Sequence, residues 1–168
     1  MRSSIITVSK AQISDISEIT DIYRQAVLVG KSSWEYDPPN TLEMTQRFEM
    51  ITMYGFPYLV AKKNNRVVGF AYASKYRDRI GYRFCVENSV YIDPAHHSQG
   101  IGSQLLDALI NECTNLGFKQ MIAVIGDSEN RASIKLHEKS GFVQVGFLPK
   151  IGFKFDIWLD SIIMQRKL

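Results

Sequence analysis

Four groups of residues have the types and spacing to do chemistry. Glu87 stands in the otherwise apolar run Phe84-Cys85-Val86-Glu87-Asn88-Ser89-Val90-Tyr91-Ile92. A carboxylate among such neighbours either faces water or sits in a cleft with a raised pKa, and the second case makes a general base. Further on, His97-Ser98-Gln99-Gly100-Ile101-Gly102-Ser103 puts two glycines at the start of a segment whose apolar residues Ile101, Leu105, Leu109 and Cys113 repeat every four positions. Helix starts carry unpaired N–H groups and partial positive charge, and glycine lets a phosphate reach the backbone. Asn130, Ser133 and His137 gather three polar groups near one helical face. Arg77, Arg79 and Arg83 lie in one short stretch with Tyr82 and could clamp a planar anion such as a carboxylate.

Each set has a plain alternative: a tight turn for the glycines, and a solvated face for the strand carboxylate, the polar helix face and the arginines. Other chemistries are excluded more firmly. No Gly-Lys-Ser/Thr follows the glycines, so the stretch is not a Walker A loop. The third glycine of the dinucleotide fingerprint is missing, and Asp107 lies too near to be its ribose acid. His96, His97 and His137 lack zinc-site spacing and cysteine support, so no metal is expected. Cys85 and Cys113 lie in apolar segments without a Cys-x-x-Cys, which reads as buried free thiols in a reducing compartment. The net charge of +3 is spread along the chain, with no basic run and no interleaved aromatics, so no nucleic-acid partner is expected. There is no signal-like apolar region and no run of about 20 apolar residues, which points to a cytoplasmic protein with no membrane partner. At 168 residues and 45% hydrophobic composition, the chain suits one domain, 1–168, with a substantial core.

The elements that must position these groups follow from periodicity and punctuation. Residues 5–8 read as a strand. Ser14 is a candidate cap for a helix with Ile16, Ile19, Ile22, Tyr23, Ala26 and Val27 on one face, failing near Gly30. The stiff loop 31–40 holds Trp34, Glu35 and Tyr36 ahead of paired prolines, and such loops either line pockets or pack their own aromatics. Thr41 is the expected cap of a second helix. Strands follow over 56–62 and 66–76 around an Asn64-Asn65 turn, then over 84–92, ended by Asp93-Pro94. The glycine-led helix precedes a strand over 119–125, a helix over 131–140 capped by Asn130 and stopped by Gly141, and two strands over 142–148 and 153–165. The order β α α β β β α β α β β predicts a mixed α/β fold, not a doubly wound one.

The glycine stretch resembles the coenzyme A signature of the Gcn5-related N-acetyltransferases, Gln/Arg-x-x-Gly-x-Gly/Ala, with His97 in place of the usual first residue. Asn130 to Phe142 resembles the family's second hallmark, Asn-x-x-(Ser/Ala)-x-x-Leu-(Tyr/His)-x-x-x-Gly-Phe, and the histidine at 137 is similar to the phosphinothricin acetyltransferase branch. Three more segments resemble that branch: Val86 to Ile92, the arginine loop Tyr76 to Phe84, and Ser33 to Pro39, where Trp34 replaces Phe. The resemblance implies a central, mostly antiparallel mixed sheet of about seven strands flanked by about four helices. It implies acetyl-CoA as co-substrate, held by the diphosphate turn His97 to Ser103 with Gln99 as an added donor, by strand residues Val90, Tyr91 and Ile92, and by Asn130 and Ser133. Glu87 would be the base and His137 or water the acid. Trp34, Glu35, Arg77, Arg79, Tyr82 and Arg83 would meet a small amino-acid-like acceptor such as phosphinothricin, methionine sulfoximine or methionine sulfone. A homodimer is implied as well. Two rivals stay open: another amine acceptor, such as a protein N-terminus or a polyamine, and an acyl-CoA-binding regulator without catalysis.

If the arginine loop clamps the acceptor, Arg77→Ala and Arg79→Ala raise KM for the amino acid. Unchanged KM in both, measured by steady-state kinetics, removes the clamp.

Overall fold

A computed structural model describes residues 5–168. The strands are β1 (Ile6–Lys10), β2 (Tyr58–Lys63), β3 (Arg66–Lys75), β4 (Cys85–Ile92), β5 (Gln120–Gly126), β6 (Val143–Lys154) and β7 (Ile157–Lys167). The helices are α1 (Ile16–Leu28), α2 (Thr41–Met53), α3 (Ile101–Asn115) and α4 (Arg131–Lys139). The expected element order is the order found. All seven strands join one sheet in the order β1-β2-β3-β4-β5-β7-β6. Every neighbouring pair is antiparallel except β4 and β5.

That parallel pair is short. Cys85 pairs with Gln120, Val86 with Met121 and Glu87 with Ile122, and the pairing stops there. β4 runs on to Ile92 along β3, and β5 runs on to Gly126 along β7. The sheet therefore opens between its two middle strands.

Two helical layers cover the sheet because each helix has one apolar stripe. On one face α1 buries Ile16, Ile19, Ile22, Tyr23 and Val27 with Met44 of α2 and Phe70 of β3. On the other, α3 buries Ile101, Leu105, Leu106, Leu109, Ile110 and Cys113 against β2, β3 and β4, and α4 packs beside it and against β5. Each such side chain contributes about 1.5–3 kcal/mol on leaving water. Among the described residues, no helix is long and apolar enough to cross a membrane.

Several local expectations need correction. Asn40, not Thr41, caps α2, its side chain accepting from the Glu43 N–H at 2.9 Å. Ser14 does not cap α1. A short 3-10 turn precedes that helix, and Asp15 instead accepts from the Gln12 N–H at 2.9 Å and pairs with Lys62 at 2.7 Å. The Lys62 ammonium compensates the charge of this buried carboxylate. The expected break over 149–152 is a bulge inside β6, where Lys150 takes φ +50° and its N–H donates to Asp160. The true hairpin turn is Phe155-Asp156, both with positive φ. Asn130 does cap α4, accepting from the Ser133 N–H, and Gly141 ends it with φ +80°.

Candidate active site

A cleft of about 870 Å³ lies where β4 and β5 part. Its root is the last rung of the pair, Glu87 with Ile122, and the next residue of β4, Asn88, points to the face opposite Glu87, as strand alternation requires. Glu87 is at that rung and lines the cleft. Burial raises its pKa, and the charge of Arg77 holds part of that rise back. Asn88, on the opposite face, is buried and donates its side-chain amide to the Ile122 carbonyl at 3.1 Å, one residue past the last pairing. The same amide oxygen lies 3.0 Å from His137 Nε2 on α4. His137 is 4% exposed, and its Nδ1 lies 2.8 Å from the Ser133 carbonyl. Phe142 packs edge-on against the ring at 5.0 Å. Burial pushes the imidazole toward its neutral form, and the Ser133 carbonyl opposes it.

Past that root, the cleft edge of β4 no longer has a strand partner, and Val90, Tyr91 and Ile92 line the opening. Beyond them His97, Ser98, Gly100, Ile101, Gly102 and Ser103 form a turn into α3 that lines the same cleft. Gly100 takes φ +77° at the N-cap and no side chain caps the helix, so the first N–H groups stay open. Gly102 serves a second purpose: a Cβ there would come within 3.3 Å of Leu136, so this glycine lets α3 approach α4. Asn130 and Ser133 border the opening from α4.

The opposite wall is the segment after α1. Trp34 and Glu35 line the cleft and are firmly held. Trp34 lies across Gly152 of β6, where a Cβ would stand 1.9 Å from its ring, so only glycine leaves room for the indole. Arg47 of α2 grips both Glu35 oxygens, at 2.7 and 3.2 Å, and the Tyr23 hydroxyl donates to Glu35 at 2.8 Å. Burial alone would raise the Glu35 pKa, but the Arg47 and Tyr23 hydrogen bonds outweigh it and hold the carboxyl below its usual value. Lys154 of β6 is 1% exposed, and its ammonium donates to the carbonyls of Val27, Gly30 and Ser33 at 2.7, 2.9 and 2.8 Å. A cation placed there meets the negative end of the α1 dipole and satisfies the chain that leaves it. The Tyr36 hydroxyl also donates to the Phe153 carbonyl.

Comparison with known proteins fits this geometry. Residues 19–142 match the acetyltransferase (GNAT) family model. The chain belongs to that family. It is 45% identical over 162 residues to a phosphinothricin N-acetyltransferase of Alcaligenes faecalis, covering 96% of this chain and 82% of the relative. It is 38% identical over 163 residues to an L-methionine sulfoximine/L-methionine sulfone acetyltransferase of Salmonella typhimurium, covering 97% and 95%. The crystal structure of a phosphinothricin acetyltransferase from Sinorhizobium meliloti in complex with acetyl-CoA superposes with a TM-score of 0.94 at 46% identity, covering 97% of this chain and 88% of that one.

The co-substrate of the acetyltransferase family is acetyl-CoA, and the residues present fit it. The uncapped N-terminus of α3 suits a diphosphate, and the unpaired edge of β4 suits an extended amide-bearing arm. Among the described residues, no cluster of three or more His, Cys, Asp or Glu has the geometry for a metal ion.

Five of the sequence-derived site residues lie off the cleft. Gln99 turns outward, its side-chain oxygen accepting from Lys63 at 3.0 Å. Arg77, Arg79 and Tyr82 line a separate shallow depression, because the 76–83 crossover lies below the root of the opening. Arg83 stacks on Phe84 at 4.5 Å and donates to the Ile80 carbonyl. His97 lines the cleft while its Nε2 lies 3.2 Å from the Ile92 carbonyl. Sequence reasoning missed Asn88, Tyr23, Arg47 and Lys154. Tyr23 was visible only as part of an apolar stripe, and a lysine in a strand reads as surface.

Lys154→Met leaves three buried carbonyls without a donor and is expected to destabilise the protein by about 2–4 kcal/mol. It also raises KM for the amine acceptor more than for acetyl-CoA. Urea denaturation and steady-state kinetics check both, and an unchanged midpoint would show that the ammonium does not hold this wall.

Proposed function

We propose that this acetyltransferase acetylates the α-amino group of a small amino-acid-like acceptor of the phosphinothricin, methionine sulfoximine and methionine sulfone class. The observation that carries the reading is a half-buried Glu87 at the root of a cleft whose far end is an open helix N-terminus. The acceptor class is supported by the activities named for the two relatives above, each aligned over almost the whole chain. Reading residues 1–168 as one domain is supported by a sheet that joins β1 to β7. A cytoplasmic setting is supported by the two free cysteines.

Bound acetyl-CoA supplies the thioester carbon that the amine attacks. The chain's own residues make the amine available and keep the reactants in place. An amino acid arrives mainly as an ammonium ion, which cannot attack. Glu87, as carboxylate, takes that proton directly or through water. Its raised pKa makes it a stronger base than an exposed glutamate. The open N–H groups of Ile101, Gly102 and Ser103 hold the diphosphate, with His97 and Ser98 beside them. Val90, Tyr91 and Ile92 offer backbone groups to the pantetheine arm, flanked by Asn130 and Ser133. His137 is the proton donor on the other side of β4. Trp34 and Glu35 form the acceptor wall, and Arg77 is the arginine whose field reaches Glu87.

The acetyltransferase is proposed to work as a homodimer. β6 is a sheet edge, and the last hairpin exposes Phe147, Ile151, Phe155 and Trp158. Such an apolar edge is expected to be covered in solution. Sedimentation equilibrium at micromolar concentration should give twice the chain mass, and a monomer would refute this.

Glu87→Gln is expected to lower kcat about 100- to 10,000-fold with little change in acetyl-CoA affinity. The working form of Glu87 is deprotonated and its pKa is raised. The rate should therefore fall with decreasing pH through a midpoint above the ordinary carboxylate range, and this acid limb should vanish in the variant. Thiol release with methionine sulfone, methionine sulfoximine and phosphinothricin, against spermidine and a short peptide, tests the acceptor class. Turnover with spermidine or peptide alone would overturn it.

A further inference from the structure

Asn88 sits between two groups that matter and belongs to neither the acceptor wall nor the diphosphate turn. It faces away from Glu87, reaches Ile122 where the ladder stops, and meets the His137 ring. The directions of these bonds are fixed from both ends. The Ile122 carbonyl can only accept, so the Asn88 NH2 must face it. The Asn88 oxygen therefore faces His137 Nε2, at 3.0 Å. At the other side of the ring the Ser133 carbonyl also can only accept, so Nδ1 must carry a hydrogen. Every bond in the chain Ile122–Asn88–His137–Ser133 is satisfied only when both ring nitrogens are protonated. With a neutral Nδ1–H ring, the Nε2 lone pair would face the amide oxygen. The amide would then have to turn over, giving its NH2 to Nε2 and losing Ile122.

We propose that Asn88 is a positioning residue that couples the His137 proton to the root of the cleft. It orients the ring and favours its protonated form, and proton release turns the amide and breaks its bond to β5. The inference rests on the reading of His137 as proton donor. Among the described residues, no charged group is paired with the ring from any element around it. Glu87 points to the opposite face of β4, Asp107 of α3 accepts from the Ser140 hydroxyl at 2.8 Å, and Arg166 of β7 donates to the Ser140 carbonyl. Phe142 offers only the edge-on ring contact. Burial works toward the neutral ring and the Ser133 carbonyl works against it; the Asn88 amide oxygen, 3.0 Å from Nε2, is a second acceptor from the β4 side.

The test is nitrogen NMR on the full chain with isotope-labelled histidine and asparagine side chains, His137 being assigned by the signal lost in His137→Gln. In the wild type, His137 should pass from two protonated ring nitrogens to Nδ1–H alone as pH rises. The Asn88 side-chain signals should move at the same midpoint. In Asn88→Leu, which removes the acceptor, the His137 midpoint should fall by about one pH unit. In Asn88→Asp it should rise, since a carboxylate is the stronger acceptor. Equal midpoints in wild type and Asn88→Leu would overturn the proposal. If neither variant folds, Asn88 signals that ignore the His137 titration in the wild type would overturn it alone. Full kcat in His137→Gln would remove the proton-donor role, yet the midpoint shifts would still support the coupling, so the two failures are distinct.

Discussion

The structure depends on one interruption of a hydrogen-bond ladder. Among the described residues β4 and β5 are the only parallel neighbours, and they separate after Glu87 and Ile122. Backbone groups left without partners inside a protein are costly, so a sheet can open only where something else satisfies them. Here the Asn88 side chain takes up the first carbonyl beyond the break, and a bound co-substrate can take up the edge of β4 beyond that. The diphosphate turn, α4 and the wall after α1 all border the gap that results. The opening is thus part of the sheet's architecture rather than a hollow left between side chains.

Strand alternation then divides the chemistry. Residues 87 and 88 are neighbours in sequence, yet their side chains leave on opposite faces, toward the two helical layers. Glu87 goes to the face of α1 and α2, and Asn88 meets His137 on the face of α3 and α4. Burial pushes the carboxyl up and the imidazole down, so both are biased toward their neutral forms. The carboxyl and the imidazole are thereby brought closer in proton affinity than free side chains are.

Much of this was legible in the sequence. Element order followed from apolar periodicity and from Gly, Pro and Asn punctuation, because those signals are local. Glu87 and the Gly100-Ile101-Gly102 start stood out because an acid in an apolar strand and glycines at a helix start break local rules. The placement of the arginine loop was not legible, since spacing cannot say whether a crossover lies above or below the root of a cleft. Lys154 and Asn88 were hidden for a related reason. Their partners lie 121 to 127 and 34 positions away, and only the folded sheet brings them together. The Asn40 cap and the Phe155-Asp156 turn were missed by one and a few residues, where neighbouring polar residues compete for the same task.

The buried Lys154 ammonium also has a consequence for biosynthesis. The carbonyls it binds, those of Val27, Gly30 and Ser33, leave the ribosome 121 to 127 residues before Lys154 does. Until β6 emerges, that end of α1 has no cation to seal it, and Trp34 has no Gly152 to lie across. A nascent chain can bury the stripe of α1 early, but it cannot finish the wall of the cleft that follows α1. The cleft is therefore completed from the later-made side, and partial chains carry the glycine turn into α3 before they acquire the wall that faces it.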